Sequence, residues 1–102
     1  MQTRVLLIED NEQNRYMAIF LLEKNGYEVL TAPDGPSGIA LATEIRPALI
    51  LLDIQLPGMD GYAVARALRE HPDLASTPIV AVTSFAMLGD KEKALAAGCD
   101  GY

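Results

Sequence analysis

The sequence predicts a single α/β domain built on a doubly wound parallel sheet. Short apolar runs of strand length alternate with segments of helical periodicity, which is the pattern of β-α units joined by right-handed crossovers. The run over residues 48–53 is apolar up to Asp53, as expected for a central strand that is covered on both faces. The chain has 102 residues, which suffices for one compact domain and is too short for two.

The first half of the chain predicts two strands and the helix between them. Residues 4–9, which contain the continuous apolar run 5–8, predict the first strand. Asp10 and Asn11 then offer an N-cap to a helix that runs to about Asn25, and residues 27–32 are predicted as the second strand. The apolar residues of that helix fall on one face at helical spacing: Tyr16, Met17, Phe20 and Leu21.

Proline and glycine delimit the elements of the second half. Residues 33–36 predict a turn, and the helix that follows runs to about Arg46, where Pro47 ends it. The remaining elements follow in the same alternation: strand 48–53, helix 62–71, strand 79–83 and a helix over about 87–97. The alternation stops after Gly98, although a freestanding domain of this kind usually carries a fifth strand and a closing helix.

Composition and charge exclude several classes of partner. A net charge of −6 argues against nucleic acid, because the chain has no basic patch to neutralise phosphates. No apolar run reaches the roughly 18 residues that span a bilayer, and the N-terminus has no signal-peptide pattern, so we expect no membrane partner. The single cysteine, Cys99, cannot form an internal disulfide. We expect a buried thiol and a cytoplasmic protein.

Polar residues stand where three of the predicted strands run out. Glu9 and Asp10 follow the first strand, Asp53 ends the third, and Thr83 ends the fourth. Because ligands of open parallel sheets bind beyond the carboxyl ends of the strands, we expect these side chains to converge on one rim. Converging carboxylates repel one another unless a cation lies between them, and hard oxygen ligands favour Mg²⁺.

This arrangement of oxygens suits phosphoryl transfer. Asp53 is the best nucleophile, because it ends the central strand and a carboxylate can attack a phosphoryl group. The Thr83 hydroxyl can donate to a phosphoryl oxygen. Taken alone, Asp10 is explained equally well as a helix N-cap and Thr83 as an ordinary strand end, so the prediction depends on their convergence.

Four segments of the chain resemble the receiver domain of bacterial two-component response regulators, which has the CheY-like fold. They are VLLIEDN (5–11), LLDIQLPGMDG (51–61), PIVAVT (78–83) and AAGCDGY (96–102). The resemblance implies a flavodoxin-like sheet of order 2-1-3-4, with the fifth strand and the last helix largely missing from a single receiver domain over residues 1–102. A lysine that the family places three residues beyond the switch aromatic is absent, and we expect a truncated domain.

The resemblance also implies a role for each matching residue. Asp53 is similar to the phosphoacceptor, and Glu9 and Asp10 to the acidic pair that holds Mg²⁺. The backbone carbonyl of Gln55 matches the third protein ligand of the metal. Two further residues match the switch pair, namely Thr83 as the hydroxyl that closes on the phosphoryl group and Tyr102 as the aromatic ring that moves with it.

The implied function is a phosphorylation-controlled signalling switch. Its phosphoryl donor would be the phosphohistidine of a histidine kinase or histidine phosphotransfer protein, and its output a changed contact with a protein target. One alternative is an aspartate-nucleophile phosphatase or phosphotransferase, which usually needs a second acid beside the nucleophile, where this chain has Gln55. Another is a scaffold that needs no phosphorylation. We expect the edge of strand 79–83 to be unpaired in a four-stranded unit, and therefore expect self-association of the truncated chain.

Overall fold

Strands and helices alternate along the chain in the computed structural model, which describes residues 3–54, 60–82 and 90–101. The four strands are β1 (Thr3–Ile8), β2 (Tyr27–Ala32), β3 (Leu49–Asp53) and β4 (Ile79–Val82). The helices are α1 (Glu12–Lys24), α2 (Gly35–Ile45), α3 (Gly61–Glu70) and α4 (Asp90–Ala96). The strand pairs are parallel and the sheet order is β2-β1-β3-β4, which confirms the predicted order 2-1-3-4.

The register of the sheet aligns the carboxyl ends of its strands. Ile8, the last residue of β1, lies opposite Leu52 of β3, one residue before Asp53. The main chain continues to pair beyond β1, because the Glu9 amide donates to the Ala32 carbonyl at 3.0 Å. The residues that follow β1 and those that end β3 therefore lie side by side at one rim of the sheet.

Helices α2 and α3 pack on one face of the sheet, and the main core lies beneath them. Alternate strand residues point into it and are almost fully buried: Leu6, Ile8, Ile50, Leu52, Ile79 and Ala81. Helix α3 adds residues at helical spacing, namely Val64, Ala65 and Leu68. Each such leucine or isoleucine stabilises the fold by about 2 kcal/mol, and shifting a strand by one residue would move its whole set to the opposite face of the sheet.

Helix α1 lies against β2 and has no buried residue. Three of its apolar residues, Tyr16, Met17 and Phe20, line one open cavity, so the predicted sharing of a face is confirmed. That face is nevertheless exposed, as the exposed fractions show: Tyr16 75%, Met17 64%, Phe20 59% and Leu21 53%. The half-buried residues of α1 include Ala18, Ile19 and Leu22. The apolar periodicity of α1 therefore does not mark its packing face.

The helix ends follow the sequence signals to within one or two residues. Asn11 caps α1 by accepting from the Asn14 amide at 2.9 Å. Helix α2 begins at Gly35, slightly earlier than predicted, because Asp34 caps it and proline is tolerated in the first turn. It ends before Arg46, whose φ of 48° is left-handed. The predicted helix over about 87–97 is observed as Asp90–Ala96, and residues 83–89 lie outside the described part of the chain.

Residues beyond α4 pair with the outer edge of β4. The Asp100 amide donates to the Ile79 carbonyl at 2.7 Å, and the Ala81 amide donates to the Gly101 carbonyl at 3.0 Å. Val80 and Gly101 form a parallel bridge. The expectation of a wholly unpaired edge was therefore wrong, and part of the basis for expecting self-association is removed.

Candidate functional site

Three carboxylates meet at the rim formed by the ends of β1 and β3. Glu9 and Asp10 lie in the loop between β1 and α1, and Asp53 is the last residue of β3. One carboxylate oxygen from each residue lies within 4.8 Å of those of the other two. The structure thus brings together the three acids whose convergence the sequence predicts.

The three acids differ in exposure, and this difference affects their charge. Glu9 and Asp53 are buried, with 6% and 7% of their surfaces exposed, whereas Asp10 is exposed. Burial raises the pKa of Glu9 from 4.5 to about 7, and the charge of Asp53 and a hydrogen bond with it act in the same direction. Hydrogen bonds from Asn11 and Asn14 act in the opposite direction. At neutral pH, Glu9 is therefore poised between its protonated and ionised forms.

The first turn of α1 fixes the conformation of the acidic loop. The Asn11 amide donates to Glu9 Oε1 at 3.1 Å, while the Asn11 side chain accepts from the Asn14 amide. Arg15, one position further along α1, donates from Nη1 to the carbonyl oxygens of Glu9 and Asp10, at 3.0 Å and 2.9 Å. Sequence analysis assigned no role to Arg15. A basic residue in the first turn of a helix that follows an acidic loop is, however, a local pattern that indicates contact with the loop.

Gly61, the first residue of α3, lies close against the residue that follows Asp53. A Cβ atom on Gly61 would lie 2.3 Å from the Ile54 Cα atom and 2.7 Å from its carbonyl carbon. These are main-chain atoms that cannot turn aside, so the approach of α3 to the residue after Asp53 requires glycine. Asp60 caps the helix by accepting from the Tyr62 amide at 2.9 Å.

The other predicted site residues lie outside the described part of the chain. These are Gln55, Thr83 and Tyr102. Their neighbours are described: Ile54 pairs with Val82 through an amide-to-carbonyl bond of 3.2 Å. Val82, which precedes Thr83 in the sequence, lies opposite Asp53 in the register of β3 and β4.

The chemistry of the site fits a small divalent cation. Its carboxylate oxygens are hard ligands, which Mg²⁺ prefers, and they are close enough to converge on one ion. Burial, and after it the nearby charge of Asp53, raises the pKa of Glu9. A divalent ion would offset the electrostatic repulsion among the three carboxylates that the fold brings together.

Among the helices within residues 3–54, 60–82 and 90–101, none is both long enough and apolar enough to cross a bilayer. Cys99, predicted to be a buried thiol, is buried and free.

Comparison with known proteins agrees with this geometry. The model of the response regulator receiver domain family matches residues 5–102. The polar-differentiation response regulator DivK of Brucella anthropi is 42% identical over 102 residues, which cover the whole of this chain and 83% of that protein. DivK of Brucella ovis is 41% identical with the same coverage.

Solved structures show the same fold. The chemotaxis protein CheY4 of Vibrio cholerae is 32% identical with a TM-score of 0.93, over 99% of this chain and 84% of that one. The receiver domain of the sensor histidine kinase PA1611 of Pseudomonas aeruginosa is 35% identical with a TM-score of 0.91, over 100% and 84%, and holds a magnesium ion in its active site cleft. Sheet order, acidic rim and sequence agree, and the chain belongs to the response regulator receiver domains, the phosphorylation-controlled switches of two-component signalling.

Proposed function

We propose that Asp53 is the phosphoacceptor of this receiver domain and that residues 1–102 act as one switch. The observation that carries the proposal is the meeting of the Asp53 carboxylate with those of Glu9 and Asp10 at the rim. Asp53 ends a central strand that is paired on both sides, so its carboxylate is held on a rigid element. A rigid nucleophile needs little reordering before attack.

The reaction is an in-line transfer of a phosphoryl group. An oxygen of the Asp53 carboxylate forms a bond to phosphorus, and the P–N bond of a phosphohistidine breaks. The imidazole leaves with the electron pair of that bond and is protonated from solvent. The product is an acyl phosphate on Asp53, and no general base is needed because an attacking carboxylate has no proton to lose.

Glu9, Asp10 and Asp53 would hold Mg²⁺, together with the main-chain carbonyl of Gln55. Bound Mg²⁺ offsets charge on the transferring phosphoryl oxygens. Glu9 has to lose its proton to act as a ligand, since metal ligands bind in their deprotonated form. The PA1611 receiver domain, with its magnesium ion, supports this assignment by similarity.

The switch itself is proposed for Thr83 and Tyr102, by similarity to the family. Thr83 follows β4 directly, and its hydroxyl would donate to a phosphoryl oxygen on Asp53. Tyr102 follows Gly101, whose main chain pairs with β4. New charge and hydrogen bonds at the rim would bias two segments toward one of two states: the segment that follows β4 and the segment that pairs along its outer edge.

The partners follow from the reaction. The donor is a histidine kinase or a histidine phosphotransfer protein, and the output is a protein target whose contact changes with phosphorylation. The domain is a signalling module that assists its own phosphorylation. A phosphatase or phosphotransferase acting on small molecules is disfavoured, because Gln55 stands where such enzymes usually need a second acid.

Intact-mass analysis after incubation with acetyl phosphate and Mg²⁺ tests the proposal. The wild-type chain should gain one phosphoryl group, and Asp53→Asn should gain none, because an amide is a poor nucleophile. Asp73→Asn is the matched control, since Asp73 is exposed in the 3₁₀ turn Pro72–Leu74 and pairs with Arg46. Phosphoryl incorporation into Asp53→Asn at the wild-type rate would contradict the assignment.

A further inference from the structure

We propose that Arg15 is a positioning residue for the metal site, acting through the main chain of both acidic loop residues. The inference rests on the proposed function, because it concerns the same Mg²⁺ site. A single nitrogen, Arg15 Nη1, lies 3.0 Å from the Glu9 carbonyl oxygen and 2.9 Å from that of Asp10. Arg15 thus bridges two consecutive peptide units.

Bridging two consecutive carbonyls constrains the backbone angles between them. Both oxygens have to point at the same nitrogen, so the main chain of Glu9 and Asp10 is curled toward α1. The direction of each Cα–Cβ bond follows from those angles, and with it the place where each carboxylate begins. The Asn11 amide fixes the far end of the Glu9 side chain, at 3.1 Å from Oε1. The loop is therefore held at its main chain and at its carboxylate by separate groups.

Arg15 is itself held firmly enough to act as an anchor. Its amide donates to the Asn11 carbonyl at 2.9 Å, which is the first bond of α1. Its side chain is half-buried, unlike the neighbouring exposed residues Asn14 and Tyr16. The guanidinium is thus carried by a residue whose main chain is part of α1, and the loop carbonyls are hydrogen-bonded to the guanidinium.

The charge of Arg15 distinguishes positioning from simple electrostatics. A cation close to a metal site opposes the binding of a second cation. If Arg15 acted only through its charge, removing it would strengthen Mg²⁺ binding. If it positions Glu9 and Asp10, removing it weakens Mg²⁺ binding in spite of the lost repulsion, because partners that orient metal ligands commonly contribute tenfold or more to affinity. The two explanations predict changes of opposite sign.

Calorimetric titration of the metal-free chain with Mg²⁺ alone, at pH 8, measures this sign. At that pH the Glu9 carboxylate is ionised. We expect Arg15→Met to bind Mg²⁺ about tenfold more weakly than wild type. Arg66→Met is the matched control, because Arg66 is an exposed arginine of α3 and the substitution removes the same charge; it should bind within about twofold of wild type. Arg15→Lys should stay close to wild type, since an ammonium nitrogen can also donate to both carbonyls.

The outcomes separate this inference from the proposed function. Binding by Arg15→Met that equals or exceeds wild-type binding would overturn the role of Arg15 and leave the metal site intact. Equal losses in Arg15→Lys and Arg15→Met would overturn the assignment to a bridging donor. Absence of Mg²⁺ binding by the wild-type chain would overturn both the inference and the metal site of the proposed function. A melting temperature lowered with unchanged Mg²⁺ affinity would show a structural role alone, and would also overturn the inference.

Discussion

Arg69 of α3 forms an ion pair with Asp100, 31 residues further along the chain. The Arg69 side chain also donates to the carbonyl oxygens of Gly98 at 2.8 Å and Thr77 at 2.5 Å. The Asp100 carboxylate accepts in turn from the Ile79 amide at 2.8 Å. Arg69 therefore ties α3 to the start of β4 and to the segment after α4, at the end of the sheet opposite the acidic rim.

Arg69→Met should lower the free energy of unfolding by about 2 kcal/mol, because it leaves several part-buried carbonyls without their donor. For a domain of this size, that is a fall of roughly 10 °C in melting temperature. Arg46→Met is the control: the Arg46–Asp73 pair is well exposed, at 67% and 44% of the side chains, and exposed pairs contribute less than about 1 kcal/mol. Equal melting temperatures for the two variants would contradict the prediction.

Asp10→Asn should weaken Mg²⁺ binding and raise the stability of the metal-free chain. It removes one of three mutually repelling carboxylates and leaves an amide of the same shape. Wild-type protein at free Mg²⁺ ten times its Kd should gain about 1.4 kcal/mol, and the variant less. Thermal melts with Mg²⁺ and with a chelator measure both effects. A wild-type melting temperature that does not change on addition of millimolar Mg²⁺ would count against the site.

Metal-free protein should lose a contribution to stability from Glu9 as the pH rises. The pKa of Glu9 is raised to about 7 in the folded chain, so between pH 4.5 and 7 the folded state holds a proton that the unfolded state has released. This contribution is fully present below pH 4.5 and disappears as the pH passes 7. Glu9→Gln stays neutral throughout, so its advantage in melting temperature over wild type should grow by roughly 10 °C between pH 5 and pH 8.

The control for this pH dependence is Glu44→Gln, which changes an exposed residue of α2. Its melting temperature should follow that of wild type across the same range. A constant gap between Glu9→Gln and wild type from pH 5 to pH 8 would show that Glu9 has an ordinary pKa. Saturating Mg²⁺ should abolish the gap's dependence on pH, because metal binding holds Glu9 ionised.

Gly61→Ala should disturb the rim more than the core. Its Cβ atom would lie 2.3 Å from the Ile54 Cα atom, so either α3 or the residue after Asp53 has to move. We expect a loss of about 2 kcal/mol in stability and slower phosphorylation of Asp53 by acetyl phosphate. In the control, Gly101→Ala, the new Cβ would lie 3.5 Å from Val80, an ordinary contact. Phosphorylation of the Gly61→Ala variant at the wild-type rate would contradict the prediction and show that the rim adjusts to the added Cβ atom.

The sequence predicts the strands and the acidic rim because both depend on local patterns. Apolar runs mark β1 and β3, and parallel pairing then brings their carboxyl ends together, with Asp53 among them. The exposed face of α1 was not predictable in the same way, since periodicity shows that residues such as Met17 and Phe20 share a side and does not show which side packs. Which side of α1 is buried depends on the elements that pack against it.

Contacts between distant segments were beyond sequence reasoning. No periodicity connects Arg69 with Asp100, because the contact forms only where the end of α3 and the segment after α4 meet beside the start of β4. Arg15 lies closer to its partners, five and six residues along the chain. Its role still depends on the turn between β1 and α1, a conformation that composition does not specify.

Strand β4 is the only separation, within the described sheet, between the end of β3 and the segment that contains Gly101. Gly101 lies opposite Val80, which is level with Leu51, two residues before Asp53. Adjacent strands lie about 4.8 Å apart and each residue advances a strand by about 3.3 Å, so the main chain at Asp53 is about 12 Å from that at Gly101. A signal that begins at Asp53, the proposed acceptor, therefore has one strand to cross before it reaches the far edge of the described sheet. Over so short a distance no further residues are needed to transmit the change, because a displacement of β4 alters its pairing with β3 and with the segment that contains Gly101 at the same time.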